Sequence, residues 1–265
     1  MNRWKPYRTA FRVHAVRETR YRGAVLGGIV TQSFFGLVLV ALYSALIDPA
    51  DQTLLRETAT YVWLQQIFFR ALFHRDSELS EQVLSGNVCY QLLRPVDPHT
   101  WWLFRAMAEK TVGVLMRLLP MLALQFLLPE QYRMLPPDGP LALLQFALSI
   151  CVGFLVIAQI NLICQAITMV TLDNRGVTAM INLIMMLLAG NIIPLTLVPE
   201  RLRQVIRYQP FAQALDAPIR MYLHTMSAGE WLLNLGVQLL WLAALWALSR
   251  LLWRRNLDRI VIQGG

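Results

Sequence analysis

Residues 139–172 read GPLALLQFALSICVGFLVIAQINLICQAITMVTL, 34 consecutive residues without Asp, Glu, Lys or Arg. A helix needs about 20 apolar residues to cross a bilayer, and this run exceeds that with room to tilt. Three more charge-free runs flank it: 23–47 (25 residues), 176–199 (24 residues) and 231–249 (19 residues). Two shorter ones, 58–69 and 118–129, hold 12 residues each and are extended by helix-compatible sequence carrying Arg70, or Arg105, Glu109, Lys110 and Arg117. A chain with 56% hydrophobic and 15% charged residues lies outside the soluble range. The expected fold is an all-α integral membrane protein, with six spans if both short runs cross.

The basic residues test that count, because Lys and Arg in short flanking segments collect on the cytoplasmic side. With both termini cytoplasmic, that side holds seven basic residues before residue 23, six from Arg70 to Arg117, Arg175, and four from Arg250 to Arg259, against six outside. A four-span arrangement would put the Arg70–Arg117 cluster outside and lose most of the bias. The net charge of +8 is therefore topological, and the sequence points to no nucleic-acid partner. The first run is longer than a signal-peptide core and is read as an uncleaved anchor.

Residues 1–22 are expected to form a cytoplasmic amphipathic interfacial helix. Trp4, Tyr7, Phe11 and His14 or Ala15 recur at three- and four-residue intervals, with Lys5, Arg8, Arg12 and Arg17 largely between them. The aromatic stripe would lie at headgroup depth and the basic face would meet anionic lipid. Residues 23–252 form the membrane domain and 253–265 a cytoplasmic tail. Gly23 and Gly27 make a GxxxG, which lets helices approach closely, within the chain or across to another.

Two connections stand out. The cytoplasmic loop 75–100 contains a short helix that Ser77 can cap, with Glu78 and Glu81 in its first turns, Leu79, Val83 and Leu84 on one face and Gly86 as its stop. Pro95 and Pro98 then break the chain before Trp101 and Trp102. Such a helix suits the passing of motion to a cytoplasmic partner, although an ordinary loop fits equally well. On the outer side, segment 191–228 carries Pro194, Pro199, Pro210 and Pro218, which are expected to break it into partly re-entrant pieces bordering a cavity.

Enzymatic constellations are missing. The four histidines are scattered, the three cysteines have no ligand spacing, and neither GxSxG nor GxxxxGK[ST] occurs; the two lysines, Lys5 and Lys110, do not follow glycine. No catalytic residue, metal site or cofactor of its own is expected. Gln66, Arg70 and His74 form a polar stripe at four-residue spacing that would line a translocation path, unless Arg70 lies near the span end and snorkels to the headgroups. Arg117 meets the same alternative.

In combination these pieces resemble the permease subunits of ABC exporters of the ABC-2 type. The resemblance rests on the basic amphipathic start, the six spans, Ser85-Gly86 followed by Leu92-Leu93-Arg94-Pro95, the outer Gly190-Asn191-Ile192-Ile193-Pro194-Leu195, Pro199, Gln209-Pro210-Phe211, and the terminal Gly264-Gly265. It implies that the loop is a coupling helix docking on a separate P-loop ATPase through Ser77, Glu78, Glu81, Gln82, Gly86, Arg94 and Pro95. It further implies two ATPase copies that carry the ATP and magnesium, a second permease chain, identical or related, and a place in the cell (inner) membrane. A secondary active transporter or a non-transporting membrane scaffold are the alternatives. The first usually carries repeats and midplane acids, which the four strong runs lack, and the second needs no coupling loop.

Overall fold

The computed structural model of the chain describes residues 4–73, 78–171, 173, 175–223 and 225–257. Every regular element among them is helical. Helix α1 (Lys5–Arg20) is separated from α2 (Arg22–Leu46) by Tyr21 alone, whose ψ of 53° leaves the helical region. Asp48, Pro49 and Asp51 turn the chain into α3 (Gln52–Phe73), Asp51 accepting a bond from the Leu54 N–H at 3.0 Å. Short helices α4 (Glu78–Leu84) and α5 (Val88–Leu92) lead to α6 (Pro98–Gln125). There Asp97 caps the Thr100 N–H at 3.0 Å and Pro98 occupies the first turn, where no backbone donor is missed.

Helix α7 (Gly139–Thr171) is the 34-residue run less its last residue, and it is the axis of the bundle. It is followed by α8 (Arg175–Leu188), α9 (Glu200–Ile206), α10 (Pro210–Tyr222) and α11 (Ala228–Leu257). A reciprocal Ser227–Glu230 capping box starts α11, with the Ser227 N–H 2.8 Å from the Glu230 carboxylate. By length and apolarity α2, α7 and α11 are each sufficient to cross a membrane, and α8 is a shorter apolar helix.

Hydrogen bonds fix the helix directions. Ser149 meets Gln238, Gln159 meets Ser249, the Leu162 carbonyl receives the Trp253 indole N–H and the Ala166 carbonyl the Asn256 amide. Partner numbers rise together, so α7 and α11 run parallel. His99, at the start of α6, bonds Ser249 near the end of α11 at 2.9 Å, so α6 runs against both. Thr60 of α3 lies at Leu135, beyond the end of α6, while Ala71 lies at Lys110 in its first half, so α3 opposes α6.

Among the described residues the core falls into two clusters. Tyr61, Trp63, Ile67, Met121, Ile157 and Leu215 belong to one cluster contributed by α3, α6, α7 and α10. A second cluster joins Leu79 of α4 and Val88 of α5 to Trp102, Leu162, Ala166, Met169 and Trp253.

Two expectations are revised. The aromatic stripe of α1 packs against α6. The Tyr7 ring lies 5.7 Å and the Trp4 ring 6.3 Å from Phe104, His14 stands edge-on to Trp101 at 5.5 Å, and Ala10 and His14 are buried. Tyr7 and Phe11 are half-buried, while Trp4 stays 53% exposed. Second, Pro218 does not break the outer segment, since α10 continues through it with residues 212–222 all buried. A proline inside a helix leaves the carbonyl four residues back without its bond. Here that carbonyl belongs to Ala214 and points at Gly153 of α7, where an added Cβ would stand 2.6 Å from it. Gly153 thus allows the close approach of α10 to α7.

Candidate functional site

The charged residues expected to act at the cytoplasmic loop converge under α6. Glu78 Oε2 accepts bonds from Arg105 Nη2 and Arg17 Nη1, each at 2.6 Å, tying α4 to α6 and α1. Arg105 also reaches Glu109 at 3.3 Å and lays its guanidinium 4.5 Å over the Trp102 ring. Its side chain is 1% exposed, so the charge depends on these partners. Burial alone would raise the Glu78 carboxyl, but the hydrogen bonds from Arg105 and Arg17 outweigh it and hold the group at about 2. Burial, aided by the positive charge of Arg105, keeps His14 neutral by lowering it to about 4.

This clasp changes how α4 is read. Glu78 and Glu81 were expected to face a partner together, yet Glu78 is turned inward, whereas Glu81 is exposed. Gln82 donates to the second Glu78 oxygen at 3.0 Å. Leu79 is buried beneath α7 and α11, and Val83 packs beside it. Gly86 takes φ 73°, the left-handed conformation that lets the chain leave the helix. Arg94 and Pro95 line a cavity of about 840 Å³ shared with Lys5, His14 and Trp101. Asp97 is held below the usual carboxylate range: burial would raise it, but bonds from Thr100 and the charge of Arg250, 3.3 Å away, prevail. Ser77, His74 and the Leu84 side chain lie outside the described residues.

Of the proposed path stripe, Gln66 is buried in the bundle and Arg70 reaches Glu18 of α1 at 2.5 Å while packing on Gly113. Arg117 does not reach the surface of the chain. It is 4% exposed, donates to the Gly113 carbonyl at 2.8 Å and lies against Gly28, where a Cβ would stand 2.6 Å from its Nη2. Gly28 and Gly36 therefore serve packing within the chain, the latter against Trp63, while the space beside Gly23 and Gly27 is open.

With this arrangement in view, the profile of the ABC-2 family transporter proteins matches residues 29–264. The chain belongs to the ABC-2 transporter family. Comparison with curated proteins gives no match. As a member, it is a membrane-embedded transport permease, and membership implies association with an ABC ATPase. The matched stretch includes α4, α5 and the Glu78–Arg105 pair, but begins beyond α1. In this ABC-2 permease Arg17 of α1 joins the Glu78–Arg105 pair from outside the matched stretch.

Sequence reading missed a second polar centre, at the other end of the bundle. Asp216 of α10 accepts bonds from Arg220 Nε at 2.7 Å and from the Tyr61 hydroxyl of α3 at 3.1 Å. Arg220 continues to Asn234 of α11 at 3.4 Å, and Gln213 donates to the same oxygen at 3.0 Å. Gln238 and Ser149 extend the network into α7. Asp216 is 1% exposed. Its four-residue spacing to Arg220 was the available signal, masked because both residues sat in a segment read as broken loop.

Proposed function

We propose that the chain is the permease subunit of an ATP-driven exporter, crossing the membrane six times with both termini cytoplasmic and drawing its energy from a separate P-loop ATPase through α4. Helix direction supports the topology. Since α7 and α11 run parallel, the chain must return between Thr171 and Ala228, and α8 is the apolar helix placed to make that return. With α6 opposing α7, α3 opposing α6, and α2 joined to α3 by a tight turn, six alternating crossings account for every long helix. The observation that carries the coupling role is the seat of α4. Leu79 sits under α7 and α11 and Glu78 is fastened to α6, so displacement of α4 is felt by three spanning helices at once. Glu81, Gln82, Gly86, Arg94 and Pro95 form the accessible remainder that would face the ATPase. Two ATPase chains and a second permease chain complete the assembly, and ATP with magnesium binds on the ATPase.

Asp216 is the kind of intramembrane acid an ion-coupled transporter uses. Both its oxygens are committed, one to Tyr61 and one to Arg220, which favours a structural role. The discriminating experiment is nucleotide turnover. The purified chain is expected to hydrolyse no ATP, and co-expression with its cognate ABC ATPase to yield a stable complex that does. Turnover by the isolated chain, or no complex with any ABC ATPase of the source cell, would defeat the proposal.

A further inference from the structure

One face of α1 is covered by α6, and the opposite face has a different composition. Arg12, Val16 and Arg20 form one stripe along it and Val13 and Arg17 a second, flanking a groove of about 730 Å³ that ends at Tyr21. Val13 and Val16 are 57% and 47% exposed. Valines set among arginines on one helix face suit a surface that meets something apolar and anionic together. Position supplies the second argument. The next residue after Tyr21 is Arg22, where α2 begins its apolar course, so the end of the groove lies where a spanning helix meets the bilayer edge. No acidic residue is among those lining the groove.

We propose that the outward groove of α1 is a binding site for an anionic phospholipid, with the phosphate on Arg12 and Arg20 and the glycerol and upper acyl chain on Val13, Val16 and Tyr21. Guanidinium groups bind phosphate through paired, charge-assisted hydrogen bonds. An acidic protein surface would meet the arginines equally well, but the valines and the position at the bilayer edge favour lipid. Arg17 borders the groove while its Nη1 holds Glu78 at 2.6 Å, so a headgroup seated here acts on the same guanidinium as α4. The site requires only that α2 enters the bilayer beside it; that the leaflet is the cytoplasmic one rests on the topology proposed above.

The test uses the full chain in nanodiscs of mixed phosphatidylcholine and phosphatidylglycerol, which present both leaflets and so make the result independent of that topology. Lipid retained by the released protein is counted by native mass spectrometry. Phosphatidylglycerol should be enriched over its share of the bilayer. The enrichment should fall by about fivefold or more in Arg12→Gln/Arg20→Gln, given about fivefold per basic residue near an anionic surface. It should survive in Arg12→Lys/Arg20→Lys and in Arg254→Gln/Arg255→Gln, which removes the same charge from the far end of the chain. Val13→Asn/Val16→Asn, with every charge kept, should also lose it, and excess inorganic phosphate should not displace the lipid. Equal loss in both glutamine pairs would reduce the effect to net charge. Displacement by phosphate would assign the site to a free anion, and absence of enrichment in the wild-type chain would leave this face to a protein partner. Each of these results overturns the proposal.

Discussion

Asp216→Ala is expected to destabilise the protein by about 3–5 kcal/mol, the cost of removing one partner from a buried ion pair. Arg220 is largely buried and would keep its charge, with only the 3.4 Å contact to Asn234 left among its side-chain bonds to α11. Tyr61 would lose its acceptor at the same time. The loss removes the bond by which Tyr61 of α3 holds α10 and leaves the link to α11 to Gln213, Arg220 and Gln238. The measurement is thermal unfolding in detergent together with the monodisperse fraction recovered. Asp216→Ala/Arg220→Met should regain much of the loss, since a buried pair replaced by apolar residues of similar volume is often neutral or stabilising. A single variant as stable as the wild type would show that the network holds nothing.

The second large effect is expected at Glu78. Glu78→Lys places a cation between Arg17 and Arg105, each of which now lies 2.6 Å from a carboxylate oxygen. Arg105 would retain Glu109 but face a like charge where it had an acceptor, a change worth about 2–5 kcal/mol at a buried charge pair. Since Leu79 is the next residue, α4 should leave its seat under α7 and α11, and ATPase co-purification and export should fall together while membrane insertion is kept. Glu81→Lys, on the exposed side of α4, should weaken the complex while membrane insertion is kept.

Acid should act on the same clasp. Glu78 and His14 both have folded-state values below their ordinary ones, so their contributions are complete above those values and are lost as the pH falls. For His14 the loss runs from 6.5 to about 4, and for Glu78 from 4.5 to about 2. The unfolding temperature should decline across the His14 window and then the Glu78 window. In Glu78→Gln the lower decline should be reduced. A profile unchanged by that substitution would remove Glu78 from the account.

What could be read from the sequence was whatever depends on neighbours along the chain. The charge-free run became α7 almost to the residue, and Gly86 lies just past the end of α4. Each follows from helix length, capping chemistry or backbone freedom, which are local. The α1 stripe shows where that stops. Periodicity identified the buried face, but lipid and a neighbouring helix reward an aromatic face equally, so its partner was not determined. The direction of Glu78 was hidden for the same reason, because its pairing with Arg105 spans 27 positions and depends on how α4 folds back under α6. Pro218 misled by obeying a local rule that α10 overrides, with residues 212–222 all buried and Gly153, 65 positions earlier in the chain, leaving room for the Ala214 carbonyl.

Cysteine accessibility in intact cells tests the central claim, that six alternating crossings turn the α4 end of the bundle to the cytoplasm and the Asp216 end outward. Single cysteines at Gly139 and Ser227, which begin α7 and α11, and at Ser85, which follows α4, would be exposed to an impermeant thiol reagent in a background lacking Cys89, Cys151 and Cys164. Positions 139 and 227 should react from outside, and position 85 only after the membrane is opened. Labelling of position 85 in sealed cells, with 139 and 227 protected, would contradict it.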